Sequence, residues 1–351
     1  MGLKILHSAD WHMDSPFAGF SDRQSRYLKE EQKKLPEKIA RLCRQENCDL
    51  VLLSGDIFDN AGSRESLDLV RRALEMCGVP VFISPGNHDF LAMGSPWVTA
   101  RWPENVHIFG DGLTSVTVKD LDCRVYGAGY RSMDCPALLE NFQISGEETY
   151  HIGVLHGDPM RLHSPYCPVT AAQVRDSGLD YLALGHIHKA GSFRARGSLC
   201  GWPGAPMGRG YDETREKGVY IVELGEKAEF RFVPLDTPRF YDLEAESAEA
   251  MDKLLPPVQS YDFYRITLTG SGEEPMWELK KRYEHLPNLE ILDRREKQTP
   301  IWERAGEDTL EGTYFRLLQQ LREGASPELD ECIQLAAEIS GKILEGKEVV
   351  L

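Results

Sequence analysis

Apolar and polar positions alternate along the first two thirds of the chain in the manner of a mixed α/β protein. Five continuous apolar runs have the length and composition of strands that are buried on both faces. Each run is followed within a few residues by Gly, Asp, Asn or His, and ligands bind at the carboxyl ends of such strands. The runs cover residues 3–8, 50–54, 79–84, 152–155 and 181–184.

Helical periodicity separates several of these runs. Residues 30–47 carry Leu35, Ile39 and Cys43 at helical spacing, and residues 64–77 repeat this pattern. Shorter elements are predicted as strands at 106–109, 115–118, 124–126, 219–222 and 230–233, and as helices at 134–141 and 170–176.

The pattern changes after 234–238, where two prolines interrupt the strand signal. A compact α+β order follows, with strands at 239–243, 263–268 and 289–293 and helices at 247–255 and 277–286. Because 351 residues exceed what one core usually supports, we predict domains at 1–237, 238–305 and 306–351.

Two amphipathic helices are predicted in the last segment, at 309–321 and 327–344. We interpret their apolar stripes as core-packing faces, and a surface that docks a partner is the alternative. The stripes consist of Tyr314, Leu317, Leu318 and Leu321, and of Leu329, Ile333, Ala336, Ile339 and Ile343.

Five polar motifs follow the five apolar runs. Two adjacent divalent cations need many lone pairs and one oxygen donor that reaches both ions, a role suited to a carboxylate. Mixed imidazole, carboxylate and amide ligands favour Mn, Fe or Zn over Mg. A structural zinc site would instead be closed, with four protein ligands that are usually thiolates. The motifs are Asp10-Trp11-His12, Gly55-Asp56, Gly86-Asn87-His88-Asp89, His156-Gly157 and Gly185-His186-Ile187-His188.

These motifs resemble the pattern of the calcineurin-like metallophosphoesterase superfamily over about the first two thirds of the chain. The resemblance implies an α/β fold, a four-layer β-sandwich flanked by helices, with a smaller α+β capping domain and a helical tail. It also implies two metal ions, most readily Mn, with Fe or Zn as alternatives. The implied ligands are Asp10, His12, Asp56 and His188 for one ion, and Asp56, Asn87, His156 and His186 for the other.

The sequences around the motifs are similar to the SbcD-like DNA repair exonucleases, and especially to their YhaO-like branch. The fragments are 8–12, 55–59, 181–188 and the segment from Trp202 to Glu223, in which Ala205 stands where the wider family has Ser. This resemblance implies a metal-dependent nuclease in double-strand-break repair, acting as an exonuclease with endonuclease action left open. It also implies an SbcC-like ATPase partner with a long coiled coil, and a homodimer is compatible with it.

The implied mechanism is metal-assisted phosphodiester hydrolysis by in-line attack of water. His88 would lie beside the scissile phosphate without ligating a metal, and would either stabilise developing charge or protonate the leaving oxygen, with Asp89 orienting its ring. Capping of a turn is the alternative role for Asp89. We interpret Asp59, Trp11 and Met13 as residues that form the wall of the site and have only a structural role.

Net charge opposes a DNA substrate, because a formal charge of −16 repels a polyanion. Residues 151–200 are nevertheless locally basic, with five basic and three acidic side chains. Arg194, Arg196 and Arg209 are therefore predicted to bind substrate, and a solvated face is the alternative for the first two. Two other classes stay open: a phosphodiesterase or phosphatase for nucleotides and other small phosphoesters, and a non-catalytic scaffold on the same fold.

Composition indicates a cytoplasmic protein without a membrane partner. No apolar run is long enough to span a bilayer, and the first residues lead directly into a strand rather than a signal peptide. The 8 cysteines form no C-x-x-C pair, so we interpret them as reduced thiols rather than a metal site.

Overall fold

The structure is a computed structural model and describes residues 2–214, 216–270, 274–295 and 301–344. The chain forms two compact units. The first comprises Met1–Asp242, Ser260–Arg265 and Leu286–Glu290, and the second comprises Leu243–Gln259, Ile266–His285 and Ile291–Leu351. The predicted domain boundaries at 237 and 305 stay a prediction.

The first unit contains a six-stranded sheet in which each predicted apolar run near the N-terminus is a parallel strand. The strand order is β12-β11-β1-β2-β3-β4, with β11 and β12 antiparallel at one edge. Its strands are β1 (Leu3–Ser8), β2 (Leu50–Leu53), β3 (Val81–Ile83), β4 (Val106–Ile108), β11 (Gly218–Leu224) and β12 (Ala228–Pro234).

A second six-stranded sheet follows in the same unit, with the order β5-β6-β7-β8-β10-β9. The inner strands are parallel, and β5 and β9 pair antiparallel at the two edges. The strands are β5 (Thr114–Val118), β6 (Cys123–Gly127), β7 (Tyr150–His156), β8 (Tyr181–Gly185), β9 (Lys189–Ala195) and β10 (Ser198–Gly204). The hairpin of β9 and β10 was not predicted, because Gly191, Gly197 and Pro203 weaken its strand signal.

The two sheets pack face to face, because one buried cluster draws side chains from both. Ile5 and Leu52 of the first sheet lie in this cluster with Ile152 and Ala183 of the second. The outer face of the first sheet is covered by α1 (Asp22–Gln45) and α2 (Arg64–Cys77), and that of the second by α4 (Ala171–Ser177) and long loops. The predicted α/β class with a four-layer sandwich is confirmed.

Helix boundaries follow from their caps. α1 begins at Asp22 rather than at residue 30, because Ser21 and Gln24 form a reciprocal capping box ahead of it. Thr170 and Gln173 form the same box ahead of α4. A short helix, α3 (Pro96–Thr99), was not predicted.

The prediction of a helix at 134–141 is wrong. Cys135 pairs with Tyr166 in an isolated parallel bridge, and its amide donates to Pro165 O at 2.8 Å. Pro136 follows directly and disfavours helical backbone at Cys135.

The α+β elements predicted after 238 are confirmed. A three-stranded sheet has the order β13-β14-β15, and one helix lies between each pair of consecutive strands along the chain. The elements are β13 (Phe240–Ala245), α5 (Ala248–Leu254), β14 (Phe263–Leu268), α6 (Met276–Arg282) and β15 (Leu289–Asp293).

The last two predicted helices are also present, as α7 (Leu310–Arg322) and α8 (Pro327–Leu344). The predicted core face is wrong for most positions, because Phe315 and Ala337 are buried while Leu317 and Leu321 are 56% and 62% exposed. Across the described ranges, none of the helices has the length and apolar character that a bilayer span requires.

Candidate metal centre

The carboxyl ends of five strands converge at one edge of the paired sheets. β1, β2 and β3 supply the first three motifs from one sheet, and β7 and β8 supply the last two from the other. Backbone hydrogen bonds tie the first two loops together: Asp10 N donates to Gly55 O at 3.0 Å and His12 N to Asp56 O at 2.9 Å. The polar motifs therefore meet although they are far apart in sequence.

One group of donors consists of Asp10, His12 and His188. One ligand atom from each lies within 4.8 Å of the others. The Nε2 atoms of His12 and His188 are 3.2 Å apart, and Asp56 Oδ2 is 3.8 Å from His12 Nε2. These are the four residues predicted to hold the first ion.

A second group lies directly beside the first and contains Asp10, Asp56 and His156. His156 Nε2 is 3.3 Å from Asp56 Oδ2 and 2.9 Å from Asn87 Oδ1. Asn87 Oδ1 is also 3.3 Å from His186 Nδ1. The structure thus brings together all seven predicted ligands, with Asp56 between the two groups, and the assignment of each residue to one ion stays a prediction.

Two buried polar atoms of this centre lack a hydrogen-bond partner within the described residues. They are Asp10 Oδ2 and His12 Nδ1. A buried polar atom without a partner costs about 1–3 kcal/mol, and more when the group is charged. Carboxylate, amide and imidazole donors at these spacings fit a pair of divalent cations of the Mn, Fe or Zn type.

The pKa values of the buried groups also indicate that the centre favours positive charge. Burial opposes ionisation of Asp56, yet the adjacent His156 holds the pKa of its carboxyl well below the usual range. Burial likewise opposes protonation of His156, and Asp56 raises its pKa to about 9. Burial, aided by the charge of His156, lowers the pKa of His186 to about 4. The carboxyl of Asp56 and the imidazole of His156 thus each favour the charged form of the other, a role that divalent cations can take over.

Several ligands have backbone in the left-handed region. The φ angles are 54° at Asp10, 46° at His12, 51° at Asp56 and 84° at His186. Glycine next to them permits the close approach of the loops: a Cβ at Gly185 would lie 2.0 Å from the Ser54 carbonyl oxygen. The motif glycines are thus required by packing.

His88 forms a third group of possible donors with His12 and Asp56, and its side chain is 42% exposed. Its Nδ1 is 3.0 Å from Asp59 Oδ1, and this hydrogen bond raises the pKa of His88. Asp89 does not orient the ring, so that predicted role is wrong. Its carboxylate accepts from the amides of Gly86 at 2.7 Å and Ile57 at 2.8 Å, which is the turn-capping alternative. Asp59, which we interpreted from the sequence as having only a structural role, is the carboxylate that forms the hydrogen bond with His88.

Sequence reasoning also missed Glu213. Its Oε1 lies 2.8 Å from His188 Nδ1 and 2.9 Å from Arg209 Nη2, and the residue is buried. Burial opposes its ionisation, but the hydrogen bond with His188 and the charge of Arg209 hold the pKa of Glu213 well below the usual range. A carboxylate in this position fixes the tautomer and orientation of a ligand histidine. The only sequence signal was the acidic pair Asp212-Glu213 after the last motif.

The predicted substrate-binding arginines divide between two places. Arg209 reaches the centre, where its Nη2 is 2.9 Å from His188 Nδ1. Arg194 and Arg196 do not, because they lie six and eight residues beyond His188, towards the turn of the β9–β10 hairpin, about 20–26 Å away at ~3.3 Å per residue. Their role stays a prediction, and Arg194 donates to Ala228 O.

Two cavities flank the centre. One of about 510 Å³ is lined by both His186 and His188 and by Lys189, Glu213 and Lys217. Another of about 290 Å³ is lined by His88 together with residues 60–61, 89–90, 92 and 94–95. A phosphoester at the centre therefore has space for substituents on two sides.

Two mixed sheets packed face to face, with a buried centre of carboxylate, amide and imidazole donors at their edge, define a metallophosphoesterase. The family model described as calcineurin-like phosphoesterase matches residues 3–190, and the chain belongs to this family. The suspected family is confirmed, and membership assigns the chain to the phosphoester hydrolases with a dimetal centre.

Two relatives illustrate the range of similarity. An uncharacterized metallophosphoesterase YhaO of Bacillus subtilis (strain 168) is 35% identical over 239 residues, which are 63% of this chain and 57% of that protein. This match therefore spans less than two thirds of the YhaO chain. The SbcD component of the nuclease SbcCD from Staphylococcus epidermidis is 22% identical over 337 residues, 83% of this chain and 85% of that one.

Solved structures were also matched. A dimetal phosphatase from Danio rerio is 13% identical, with coverage of 66% of this chain and 98% of that chain and a TM-score of 0.42. A novel archaeal phosphodiesterase is 18% identical, with coverage of 66% and 100% and a TM-score of 0.36.

Proposed function

We propose that this protein is a two-metal phosphodiester hydrolase that acts on DNA as an exonuclease in double-strand-break repair. The observation that carries the chemical part is the convergence of seven donor residues beside an exposed histidine. The similarity to the SbcD component of the nuclease SbcCD over 83% of the chain supports the substrate. Endonuclease action on the same substrate is a lesser part of the proposal.

The residues of the chain divide the work of hydrolysis. The seven predicted ligands would hold two divalent cations, which when bound would acidify a water molecule and stabilise negative charge on the phosphate. Asp59 holds Nδ1 of His88, which leaves Nε2 to donate a proton to the leaving oxygen. Arg209, part-exposed beside His188, supplies a guanidinium for a phosphate oxygen. We propose Mn as the preferred ion, with Fe and Zn as competitors.

Hydrolysis of nucleotides or other small phosphoesters is the second candidate. The two cavities beside the centre, of about 510 and 290 Å³, have the size of small-molecule sites rather than of a long groove. The third class, a scaffold without catalysis, has less support, because all seven predicted ligands are retained and converge.

A metal-titrated assay separates these candidates. The metal-free protein is loaded with Mn, Zn or Fe(II), and each form is given linear duplex DNA, single-stranded DNA and an aryl phosphodiester. We expect hydrolysis of all three with Mn, and shortening of linear duplex from its ends. Turnover of the aryl diester without any cut in either DNA would replace the proposal by the small-substrate candidate. No turnover of any substrate with any metal would favour the scaffold.

We further propose an SbcC-like ATPase with a coiled coil as a partner, docked on α7 and α8. Some of the exposed apolar side chains of these helices line a cavity of about 500 Å³, namely Leu310, Tyr314, Leu317, Ile343 and Leu344. An amphipathic helix is the occupant that suits such a surface. The protein's net charge of −16 gives this proposal a reason, because a partner can supply affinity for DNA.

Replacement of Leu317 and Leu321 by Asp tests this surface. Both side chains are more than half exposed, so we expect the variant to fold, to keep aryl diester hydrolysis and to lose co-purification with the co-expressed ATPase. Leu335→Asp is the matched control, because Leu335 is 56% exposed and does not border the cavity. Undiminished binding by the double variant would move the docking site elsewhere.

A further inference from the structure

A buried lysine lines the larger of the two cavities beside the metal centre. Lys217 directly precedes β11 and is only 6% exposed. It borders the cavity of about 510 Å³ together with His186 and His188. Its Nζ lies 3.3 Å from the backbone oxygen of His188. The ammonium group is therefore held in the same small region as two of the predicted metal ligands.

The hydrogen bonds of this ammonium group are incomplete. A lysine ammonium carries three N–H donors, and within the described part of the chain the bond to the His188 oxygen uses one of them. The nearest carboxylate oxygen there, Oε2 of Glu213, is 4.0 Å from Nζ, which is beyond hydrogen-bond distance. A buried charge is costly unless it is paired and hydrogen-bonded. An anionic oxygen in the cavity is the partner that would complete these bonds.

Glu213 compensates the charge of Lys217 only weakly, because both oxygens of its carboxylate are already engaged. Oε1 lies 2.9 Å from Arg209 Nη2 and 2.8 Å from His188 Nδ1. Oε2 accepts from the backbone amide of Arg209 at 3.1 Å. The negative charge of Glu213 is thus directed at Arg209 and His188, and positive charge is left over at Lys217.

Two exposed charged residues also border the cavity. Lys189 forms no ion pair with any described residue and adds a second ammonium group to the cavity wall. Asp212 is on the same wall, but it is exposed, so solvent and salt screen its repulsion of an anion. A phosphate group suits this wall, because its oxygens accept charge-assisted hydrogen bonds and lysine binds phosphate as a point charge.

The position of the cavity indicates which part of a substrate would enter it. His88, the proposed acid, lines the other cavity, so the leaving oxygen belongs on that side. The alcohol group that stays on phosphorus then belongs on the side of Lys217. In a nucleoside phosphodiester this group is a nucleoside, and its other hydroxyl is the place where a second phosphate can be attached.

We propose that Lys217, together with Lys189, forms a subsite for a second phosphate that lies one nucleoside away from the scissile phosphate. This inference rests on the proposed phosphodiester hydrolysis and names the class of substrate. The preferred substrates are nucleoside phosphodiesters that carry a further phosphate on the nucleoside retained on phosphorus. The next phosphate of a DNA strand and the terminal phosphate of a nucleotide share this chemistry.

Three chromogenic substrates test the subsite. They are the p-nitrophenyl ester of thymidine 5'-phosphate, the same ester with a 3'-phosphate, and the same ester with that 3'-phosphate joined to a second thymidine. A matching set built on thymidine 3'-phosphate covers the opposite strand direction. For the manganese-loaded protein we expect the second phosphate to raise kcat/KM about tenfold or more, the scale of hydrogen bonds to charged groups. A rise with the third substrate assigns the subsite to a strand phosphate, and a rise with the second alone assigns it to a terminal phosphate.

The variant Lys217→Met removes the charge and keeps the apolar stem. We expect the ratio of kcat/KM with and without the second phosphate to fall towards one. Losses common to both substrates cancel in this ratio, so a lysine that only holds the backbone of His188 would leave the ratio at its wild-type value. Metal content is measured for each variant.

Two exposed lysines complete the set of variants. Lys189→Gln should lower the same ratio by a smaller factor, and it decides the test if Lys217→Met does not fold. Lys227→Gln is the matched control, because Lys227 is an exposed lysine beyond the far end of β11, and it should leave the ratio unchanged.

Calorimetric binding to the manganese-loaded protein gives a readout without turnover. Thymidine 3',5'-bisphosphate should bind about tenfold or more tightly than either monophosphate, and Lys217→Met should remove this difference. Equal affinities, or a wild-type ratio retained in both lysine variants, overturn the subsite. Hydrolysis of all substrates without any gain from the second phosphate overturns the subsite and leaves the proposed hydrolase intact. Tighter bisphosphate binding that depends on Lys217, without hydrolysis of any diester, keeps the subsite and overturns the proposed function.

Discussion

The two sides of the metal centre hold their histidines in different ways. His156 is fully buried, and its Nδ1 lies 2.8 Å from the backbone oxygen of Ser54. His188 is part-exposed, and its Nδ1 lies 2.8 Å from the carboxylate of Glu213. A backbone carbonyl is present whatever the side chain is, whereas a carboxylate can be replaced or neutralised. The side of the centre that contains His156 is thus fixed by the fold (the fixed side). The side that contains His188 can be changed by replacing one residue, Glu213 (the adjustable side).

Loss of Asp56 should abolish this difference, because its carboxylate lies between both sides. We expect Asp56→Asn to lose both cations and to reduce activity below detection, measured by metal analysis and aryl diester turnover. Asp120→Asn, the same change at an exposed position, is the control. Two tightly bound ions in the Asp56 variant would contradict the ligand assignment.

His88 should affect turnover and leave both sides of the centre intact. His88→Asn is expected to keep wild-type metal content and to lower turnover by roughly 10²-fold, the scale of a lost general acid. Asp59→Asn should lower turnover by a smaller factor, since it removes the negative charge that strengthens the hydrogen bond to the ring and leaves an oxygen that can still accept. A parallel loss of metal in the His88 variant would make His88 a ligand.

Glu213→Gln should weaken only the adjustable side. Loss of a carboxylate that orients a ligand histidine typically costs about 10–100-fold in metal affinity. We therefore expect calorimetric titration of the metal-free variant to show one weakened site and one unchanged site. Asp212→Asn changes the neighbouring exposed residue and serves as control. Equal weakening of both sites would remove the distinction drawn here.

The smallest expected effect concerns His7, whose Nε2 forms a 2.8 Å hydrogen bond with Oγ of Ser54. Ser54 is the residue whose backbone oxygen contacts His156 on the fixed side. Burial lowers the pKa of His7 to about 3. The unfolded chain binds this proton near pH ~6.5, so the contribution is complete above that pH and is lost as the pH falls towards 3. The free energy of unfolding should fall by up to about 1.4 kcal/mol per pH unit in this window.

Urea denaturation at several pH values measures this slope. His7→Gln should show a shallower slope by one proton in the same window, although it is less stable at neutral pH. Identical slopes for the two proteins would mean that His7 is protonated in the folded state.

The seven predicted ligands could be read from the sequence because all of them lie at or just after the ends of five strands, so the information is local. The two carboxylates that form hydrogen bonds with the histidines of the site could not be predicted from the sequence. Glu213 meets His188 from 25 residues away and Asp59 meets His88 from 29, and both approaches depend on loop paths that no periodicity encodes.

The errors also have local causes. In α7, Phe315 and Leu318 face the core, while Leu317 and Leu321 form a second apolar stripe at the same helical spacing. Spacing alone cannot choose between two apolar faces of one helix. The substrate-binding role of Arg194 stays a prediction, and its proximity in sequence to His188 does not bring it to the centre, because it lies along a strand that leads away from there.

The left-handed backbone at Asp10, His12, Asp56 and His186 has a consequence for local motion. For residues other than glycine this conformation is disfavoured by about 1–2 kcal/mol each. The chain segments at the strand ends should therefore open at a lower free energy than the strands below them. Their amide hydrogens should exchange with solvent first, and cation binding, by pinning the side chains, should slow that exchange selectively at this rim of the sheets.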